Sequence, residues 1–353
     1  MMLTPNAARL TRQYIDELRK AFSDCEADTD NKSFTLSEPR SIALRKALME
    51  RLEFLGMITM LDVPHPQGQV VNIGESTLRT GRVKSGRFTK GSTFSGNTFQ
   101  LVETDSCNVI PWETLAIWAN AGSPQEFFNL MNSAALHNFG EDILRIGFNG
   151  IKVSDTTDPN AHPNGEDANI GWHQIAKNWG DEDNNVSKIL TDPITIGEGG
   201  DFIGLDAAAS DLIRSAIPSS QQSNPNLVVL VGADLLAAEE VRLYNKEDRP
   251  SEQVAAQQLS KNIAGRKAYC PPFMPGKRMV VTTLQNLQVL TLKGSRRRKA
   301  EDVGDRKQFE NSYWRYEGYA LGNPELYAAI DETAVTIAAR KTKTAQEHDT
   351  ELA

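Results

Sequence analysis

The segment from Ser123 to Gly150 constrains the fold most, because it predicts one long helix. Ser123 can cap the helix, Pro124 suits its first turn, and Glu126 completes an S-x-x-E capping box. Apolar residues then recur on one broad face: Phe127, Phe128, Met131, Ala135, Phe139, Ile143, Leu144 and Ile146. At about 1.5 Å of rise per residue, a helix of about 23 residues is a rod of roughly 34 Å. No side chain on that face is chemically reactive, so we expect a structural beam.

Length and charge limit the function classes. A chain of 353 residues can contain two or three subdomains. The net charge of −8 argues against nucleic-acid binding through bulk charge but permits local basic patches. Cys25, Cys107 and Cys270 are widely spaced, which suits a reducing compartment and forms no disulfide or zinc pattern. No apolar run reaches the ~20 residues of a membrane span, and no signal-peptide core is present, so we expect synthesis in the cytoplasm without a membrane segment.

The N-terminal part predicts two helices joined by a linker. Residues 4–23 carry a narrow apolar stripe of Leu10, Tyr14, Leu18 and Phe22, and residues 23–33 are acidic and polar. A second helix should begin near Pro39 and stop at Gly56. The first helix could therefore be a separable module on a tether, and an ordinary N-terminal arm fits the composition equally well.

Residues 64–110 form the least ordinary region. Apolar and polar residues alternate around Val71 and Phe99, which predicts two strands. Between the strands, glycines recur every five residues and the cations outnumber the acids; these cations are Arg79, Arg82, Lys84, Arg87 and Lys90. The stretch has too little apolar surface for a core of its own. It is either a flexible surface loop or a projecting arm that docks on an acidic surface of a neighbour.

Further along the chain, helices and strands alternate without a regular βαβ period, which favours an α+β architecture. The predicted elements are polar loops at 152–169 and 180–185, a glycine turn and helix within 194–216, a strand and helix at 226–239, a helix at 254–264, paired strands at 279–284 and 287–292, a strand at 313–320, a helical or extended segment at 325–340 and a polar tail after Lys341.

The segments that resemble cofactor-binding or metal-binding motifs do not have the spacing that those motifs require. Gly197–Asp201 lacks the third glycine of a dinucleotide fingerprint, so a tight turn is the better interpretation. The oxygen-rich loop at 155–167 lacks EF-hand spacing, which favours a solvated acidic loop. No histidine pair or nucleophile motif is present. We therefore predict no catalytic residue, no cofactor and no metal site.

A second basic segment lies at 293–299 (KGSRRRK). Its five cations are Lys293, Arg296, Arg297, Arg298 and Lys299. The run could be a solvated turn or an inter-subunit salt-bridge site, and contact with a polyanion such as packaged nucleic acid is the alternative. Base-specific recognition is not expected, because no aromatic residues are interleaved.

Ordered stretches of this sequence resemble the major capsid protein of peduovirus-type (P2-like) temperate tailed phages. The stretches that carry the resemblance are NKSFTLSEP (31–39), RIGFNGIKVSDTTDPN (145–160) with Gly-Trp at 171–172, IGEGGDFIGLDA (196–207), NLVVLVGADLLA (226–237) and YNKEDRPSEQ (244–253). The similarity covers most of residues 31–330, and the first 30 residues and the tail match only in character.

The resemblance implies an α+β fold of the Hong Kong 97-like (HK97-like) capsid type. Its parts would be an N-terminal assembly segment at 1–35, an N-terminal arm helix at 36–63, an extended loop at 64–110, a peripheral domain at 111–200 and 301–340 with the spine helix at 123–147, an axial domain at 201–300 and a flexible tail at 341–353. Some coat proteins of this fold form lysine–asparagine crosslinks. Lys84 and Lys90 are present, but no partner is identifiable and no crosslink is predicted.

The resemblance also implies a function. Copies of the chain would form hexamers and pentamers that close an icosahedral shell around double-stranded DNA, assembled in the bacterial cytoplasm and retained in the virion. Implied partners are an internal scaffolding protein, a prohead protease, a portal protein and DNA bound without sequence specificity. The protease would remove the N-terminal segment near Lys32, Ser33, Phe34 and Thr35.

The mechanical consequence is that binding energy should be spread over many modest interfaces. The cationic hairpin suits an interlocking role, and the acidic loops at 155–167 or 181–183 could receive it. An encapsulin-like shell protein is the alternative of similar fold. A cytosolic α+β enzyme would need a convergent polar pocket, which the sequence does not indicate.

Overall fold

The computed structural model describes residues 3–21, 33–71, 80–84, 86–87, 96–120, 123–180, 187–246 and 262–338. Its contacts group the chain into two units, Met1–Val186 with Thr283–Pro324 and Ser187–Thr282 with Glu325–Ala353. In the first unit, the helices are α1 (Pro5–Ala21), α2 (Glu38–Arg51), α3 (Glu53–Met57), α4 (Trp112–Asn120), α5 (Pro124–Asn149) and α6 (Trp172–Gly180). Its strands are β1 (Ser33–Thr35), β2 (Thr59–Val63), β3 (Gln67–Val71), β4 (Gly96–Gln100), β5 (Val102–Pro111), β12 (Leu287–Leu292), β13 (Arg297–Val303) and β14 (Gln308–Leu321).

A six-stranded sheet organises the first unit around β14. Its order is β1-β13-β14-β12-β2, and β5 pairs with β14 along the other side of that long strand. The register places Tyr313 between Arg298 of β13 and Ser106 of β5. Because side chains alternate along a strand, Tyr313 and its odd-numbered neighbours face one side of the sheet, and Trp314 and Tyr316 face the other. The odd-numbered side is called the inner face and the other the outer face.

The long helix α5 confirms the predicted beam. It spans 26 residues, and its first turn holds the expected capping box: the Glu126 amide donates to Ser123 Oγ at 3.4 Å, and the Ser123 amide donates to Glu126 Oε2 at 2.7 Å. The predicted apolar face is largely buried. Tyr319 on the sheet donates a hydrogen bond to the Ile143 carbonyl at 2.9 Å. The capping box and apolar stripe therefore gave the correct start and face, and the helix extends two residues beyond 147.

The GFNG and Gly-Trp motifs pack the end of α5. A Cβ at Gly150 would lie 2.3 Å from the Asn169 carbonyl oxygen, and one at Gly171 would lie 2.5 Å from that of Gly147. The Trp172 ring is fully buried, and its centroid lies 5.2 Å from that of Phe148. Glycine is thus required where the returning loop touches the helix backbone. These motifs serve packing.

The strands of the second unit are β6 (Ile189–Leu190), β7 (Ile194–Ile196), β8 (Leu227–Val231), β9 (Asn262–Ile263), β10 (Arg266–Tyr269), β11 (Met279–Thr283), β15 (Ala328–Ile330) and β16 (Val335–Ile337), and its helices are α7 (Leu205–Ala216) and α8 (Ala233–Lys246). Six of these strands form one sheet in the order β6-β15-β11-β8-β10-β9, and β7 pairs with β16 separately. The GEGGD stretch is the predicted tight turn, with Gly197 and Gly199 at positive φ and Asp201 Oδ2 accepting from the Thr195 amide at 2.8 Å.

One predicted strand pairing is wrong, and one helix was not predicted. The strands near 279–284 and 287–292 exist but do not pair with each other: β11 pairs with β15, and β12 pairs with β14 and β2. A 3-10 turn at Leu284–Asn286 separates them, so a short connection here does not make a hairpin. Helix α6 was not predicted. The predicted helix at 254–264 lies outside the described residues except for its end, where Asn262–Ile263 is a strand.

The predicted domain boundaries differ from the bounds of the two units. Residues 283–300, assigned to the axial domain, group with the first unit, and residues 325–340, assigned to the peripheral domain, group with the second. Residues 102–110, assigned to the extended loop, belong to β5 in the large sheet. The peripheral and axial roles of the two units remain predictions. The tail at 341–353 lies outside the described residues.

Candidate inter-subunit surfaces

The stem of the predicted extended loop is a two-stranded antiparallel ribbon. β3 pairs with β4 from Gln67–Gln100 to Val71–Gly96. A small apolar cluster anchors it: Leu101, Leu290 and Ala320 are buried, and Val63, Val70, Phe99 and Leu292 pack against them. A Cβ at Gly68 would lie 2.8 Å from the Phe99 ring, so glycine lets that ring cross the ribbon. The two predicted strands are confirmed, and their base is fixed on the sheet.

The described cations of the predicted arm are all exposed. Arg82, Lys84 and Arg87 lie at the surface, and none forms an ion pair with another residue that the structure describes. Arg79 and Lys90 lie outside the described residues. The exposed residues 80–84 and 86–87 are together called the cationic finger.

The outer face of the large sheet is open at the end away from the stem. β5 exposes Glu103, Asp105, Cys107 and Val109 there, beside Tyr316 and the half-buried Trp314 of β14. The register pairs Glu103 with Tyr316 and Asp105 with Trp314. The Tyr316 hydroxyl donates to Glu103 Oε2 at 3.2 Å. These six residues are called the β5–β14 face.

The electrostatics of the β5–β14 face are set by its carboxylates. Desolvation raises the pKa of Asp105 above its ordinary value, and the neighbouring charge of Glu103 raises it further. A hydrogen bond from Trp314 and the charge of Arg315 oppose this rise in the pKa. Asp105 forms no ion pair with a cation among the described residues. The carboxylate therefore lies where an added positive charge would be favourable.

The basic run at 293–299 divides between the two faces. Arg296 is buried, and its guanidinium donates to Asp62, to Ser41 and to the Tyr313 hydroxyl, the last at 3.1 Å. Arg298 is buried as well and donates to Asn311 Oδ1 at 3.2 Å. The prediction that these two residues contact a polyanion or a neighbouring subunit is wrong, because β13 turns them inward.

The other three cations of the run stay near the surface. Lys293 and Arg297 are exposed, and the half-buried Lys299 pairs with Glu301 at 2.7 Å. External contact by these three residues remains a prediction.

Sequence reasoning missed a buried ionic layer on the inner face. Arg315 is 1% exposed and makes two hydrogen bonds to Glu317, at 2.7 and 3.0 Å. It also donates to Ser106 Oγ at 2.9 Å and lies over the Tyr313 ring at 4.7 Å. The carboxylate of Glu317 raises the pKa of Arg315 despite burial. The alternation in the strand Tyr-Trp-Arg-Tyr-Glu-Gly-Tyr was the available signal, since it puts arginine and glutamate on the tyrosine side.

The N-terminal helix α1 is not a separable module. Its buried residues are Ala7, Leu10, Thr11 and Tyr14, and they belong to the same core as Leu115, Phe127, Phe128, Met131 and Phe309. The Tyr14 hydroxyl donates to Asn132 Oδ1 of α5 at 2.7 Å. Of the predicted stripe, Leu10 and Tyr14 are buried in this core and Leu18 packs against it, whereas Phe22 lies outside the described residues.

The region of the predicted cleavage site enters the large sheet. Ser33, Phe34 and Thr35 form β1, which pairs antiparallel with Lys299, Arg298 and Arg297 of β13. Lys32 lies outside the described residues. The backbone from Ser33 onward is thus held by a sheet edge.

Of the two acidic loops predicted as possible receivers for the arm, only the one at 155–167 lies within the described residues. In the 155–167 loop, the buried Asp167 accepts from the Asp158 amide at 2.8 Å, and Asp158 accepts from the Asn160 amide at 2.9 Å. These carboxylates stabilise the loop itself. Residues 181–183 lie outside the described residues.

Comparisons with known proteins agree on one protein family. The family of P2-type phage major capsid proteins matches residues 11–333. The chain is 30% identical over 305 residues to a capsid protein of Escherichia phage P2, which covers 81% of this chain and 83% of that protein. It is 26% identical over 306 residues to the major capsid protein of Serratia phage KSP20, covering 80% and 82%.

The fold has a solved counterpart. The structure described as the satellite phage P4 procapsid including size determination (Sid) protein aligns with a TM-score of 0.74 at 23% identity, covering 92% of this chain and 97% of that one. This similarity confirms the α+β HK97-like fold that the resemblance implied. Among the described residues, no helix is long and apolar enough to cross a membrane. The family match decides against an encapsulin-like shell and gives no support to a metabolic enzyme. The chain belongs to the P2 family of phage major capsid proteins, and it forms the head shell of a virion.

Proposed function

We propose that the β3–β4 hairpin interlocks neighbouring copies of this capsid protein within hexameric and pentameric capsomers. The observation that carries the proposal is the contrast along the hairpin. Its base is fixed by apolar contacts around Phe99 and Leu101, whereas Arg82, Lys84 and Arg87 are exposed and unpaired among the described residues. Exposed cations without partners contribute little to the subunit that carries them. They can contribute where a neighbour supplies negative charge.

Reversing the charge of the finger tests this proposal. The variant Arg82→Glu, Arg87→Glu, Lys90→Glu should leave the subunit folded, with an unchanged circular dichroism spectrum, and should abolish shells seen by electron microscopy. A matched control reverses three exposed cations elsewhere, Lys152, Lys267 and Lys277, with the same change in net charge. Normal particles from the finger variant would overturn the interlocking role. Loss of particles from both variants would show a general charge effect and would overturn it as well.

We infer a second role for residues 1–35, which would assist assembly and then be removed by a prohead protease. The pairing of β1 with β13 favours a cut at the N-terminal end of the Lys32–Thr35 range, because a cut inside β1 requires that strand to leave the sheet first. Intact-mass measurement of mature particles tests this directly. A terminus beginning at Ser33 is expected, and a mature chain that still begins at residue 1 would contradict processing.

The assembly role of α1 needs a test that spares its buried side. Deletion of residues 1–30 should disturb shell size or fidelity, but it would also uncover the core around Phe127. Reversal of the exposed residues Arg12 and Glu17 leaves the buried stripe intact. Altered shell diameter in that variant, with unchanged subunit stability, would support an external contact of α1. Normal shells from both variants would contradict it.

The remaining partners follow from the family role. We infer that the shell encloses double-stranded DNA without sequence specificity and assembles with a scaffolding protein and a portal protein. Lys293, Arg297 and Lys299 are the members of the basic run that stay near the surface for a polyanion or a neighbouring subunit. Glutamine substitution of all three should lower DNA retention in filled heads if they face the DNA, and unchanged retention would assign them elsewhere.

A further inference from the structure

We propose that the β5–β14 face is the receiver for the cationic finger of a neighbouring copy. This inference rests on the interlocking role proposed above and adds the surface that completes it. The occupant is the cationic finger, residues 80–84 and 86–87, of a second copy of this chain. The face comprises Glu103, Asp105, Cys107, Val109, Trp314 and Tyr316.

The hairpin stem and the proposed receiver lie on the same side of the sheet. The stem of the hairpin packs on Ala320, and a Cβ at Gly318 would meet Leu101 at 2.9 Å. Ala320, Gly318, Tyr316 and Trp314 are alternate residues of one strand and therefore share a face. The stem of the hairpin thus packs on the same face of the sheet that is uncovered further along. Copies related by rotation in a closed ring would present finger and receiver to each other at a head-to-tail interface.

The charges of the β5–β14 face and of the finger are opposite in sign. Glu103 and Asp105 are exposed, and neither forms an ion pair with a cation among the described residues. The opposing charge on this side is Arg297, which lies across Trp314 from Asp105 in the register. Lys299 is already paired with Glu301. Two carboxylates without ion-pair partners among the described residues therefore face outward beside one arginine, and the finger offers three exposed cations that likewise lack such partners.

The aromatic side chains of the face suit arginine. Tyr316 is 37% exposed and Trp314 is half-buried, so both offer ring surface beside the carboxylates. An arginine guanidinium can stack on an aromatic ring while it donates to a carboxylate, which lysine does less well. Arg82 and Arg87 are accordingly the expected contacts, and Val109 extends the face with apolar surface that is 44% exposed.

The chain carries its own reporter for this contact. Cys107 is exposed within the face, next but one to Asp105. A disulfide forms only when two Cα atoms approach to about 4.4–6.8 Å, so a cysteine on the finger can report close contact with Cys107. The parent for the test carries Cys25→Ser and Cys270→Ser. One chain adds Arg87→Cys and Cys107→Ser, and the other keeps Cys107 alone.

Shells assembled from both chains together and oxidised mildly should give covalent dimers on a non-reducing gel, with peptides 87 and 107 joined. Lys277→Cys in place of Arg87→Cys is the matched control and should give none. Shells that form without the 87–107 link would overturn the receiver while leaving the interlocking role intact. Normal shells from the Arg82→Glu, Arg87→Glu, Lys90→Glu variant would instead contradict the proposed function.

A charge exchange provides an independent measurement. Glu103→Arg with Asp105→Arg should eliminate most shells at a subunit concentration where the parent assembles. Combination with Arg82→Glu and Arg87→Glu should restore them, because the attraction is rebuilt with reversed sign. Failure of the exchange to restore any particles, with all subunits folded, would count against direct pairing of these residues.

Discussion

The two basic segments of this protein look alike in the sequence and occupy opposite environments. Arg82, Lys84 and Arg87 of the finger are exposed, whereas Arg296 and Arg298 of the second segment are buried and hydrogen-bonded. Both segments are dense in cations and contain glycine. The difference shows that local charge density does not decide whether a basic segment faces outward.

Strand alternation and available partners decide it. Arg296 and Arg298 lie in or beside β13, with the exposed Arg297 between them. Burial of a guanidinium is expensive unless a carboxylate and further acceptors satisfy it. Asp62 and Asn311 supply those acceptors. The finger has no such partners among the described residues of its own subunit, so it stays outside.

The largest effect in this comparison should come from Asp62→Ala. Asp62 Oδ1 accepts from Arg296 at 2.6 Å, and Arg45 lies 3.1 Å from its other oxygen. Removing the carboxylate leaves the buried Arg296 uncompensated, which should lower the free energy of unfolding by about 3–5 kcal/mol. Urea unfolding of unassembled subunits measures this. The control Arg297→Ala, at an exposed position, should change it by less than about 0.5 kcal/mol. If both variants lowered the free energy of unfolding equally, the buried ion pair would contribute no more to stability than an exposed arginine.

A smaller effect is expected for Arg298→Ala. The Arg298 guanidinium donates to Asn311 and, at 3.4 Å, to the same Asn132 oxygen that the Tyr14 hydroxyl contacts. Loss of hydrogen bonds from a charged donor should cost about 1.5–3 kcal/mol. Tyr14→Phe removes one neutral donor from the same oxygen and should cost about 1 kcal/mol. The loss in free energy of unfolding in the double variant should differ from the sum of the two single losses, because both residues contact Asn132. If the two single costs simply added, Arg298 would not help to hold α1 against α5.

Much of the fold could be predicted where the signal is local. The capping box and apolar stripe predicted α5, and the run Leu227–Val231 followed by Ala233 predicted a strand and helix. The pairing of strands could not be predicted, because β12 joins partners more than 25 residues away on one side and over 200 on the other, at Ala320 and Thr59. The prediction that α1 is a separable module was wrong for the same reason, because the residues that α1 packs against are distant in the sequence.

The interaction surfaces were predicted in part. The hairpin stem was correct because alternation around Val71 and Phe99 is a local pattern. The inward turn of Arg296 depended on Asp62, 234 positions away, which no local pattern reveals. The β5–β14 face was not identified, because its acids on β5 and its aromatics on β14 are over 200 residues apart in the sequence.

The smallest effect concerns Asp105, which lacks on the outer face the cation that Glu317 finds on the inner face in Arg315. Because the pKa of Asp105 is raised in the folded subunit, folding favours its protonated form, and subunit stability falls as the pH rises from the unfolded pKa through the folded one. Asp105→Asn removes that penalty and should slightly stabilise unassembled subunits at pH 7, by less than about 0.5 kcal/mol. The advantage should disappear at a pH below the unfolded pKa of Asp105.

Assembled shells should respond to Asp105→Asn in the opposite direction. A finger cation beside Asp105 would lower its pKa, so that the carboxylate stabilises the contact and acid weakens it. Light scattering during urea dissociation should then show the variant shells dissociating at lower urea than the parent at pH 7. Asp155→Asn, at an exposed position in the loop after α5, is the matched control and should leave both measurements unchanged. If Asp105→Asn stabilised subunits and shells alike, no cation would approach Asp105 in the shell, and the β5–β14 face would not be the receiver.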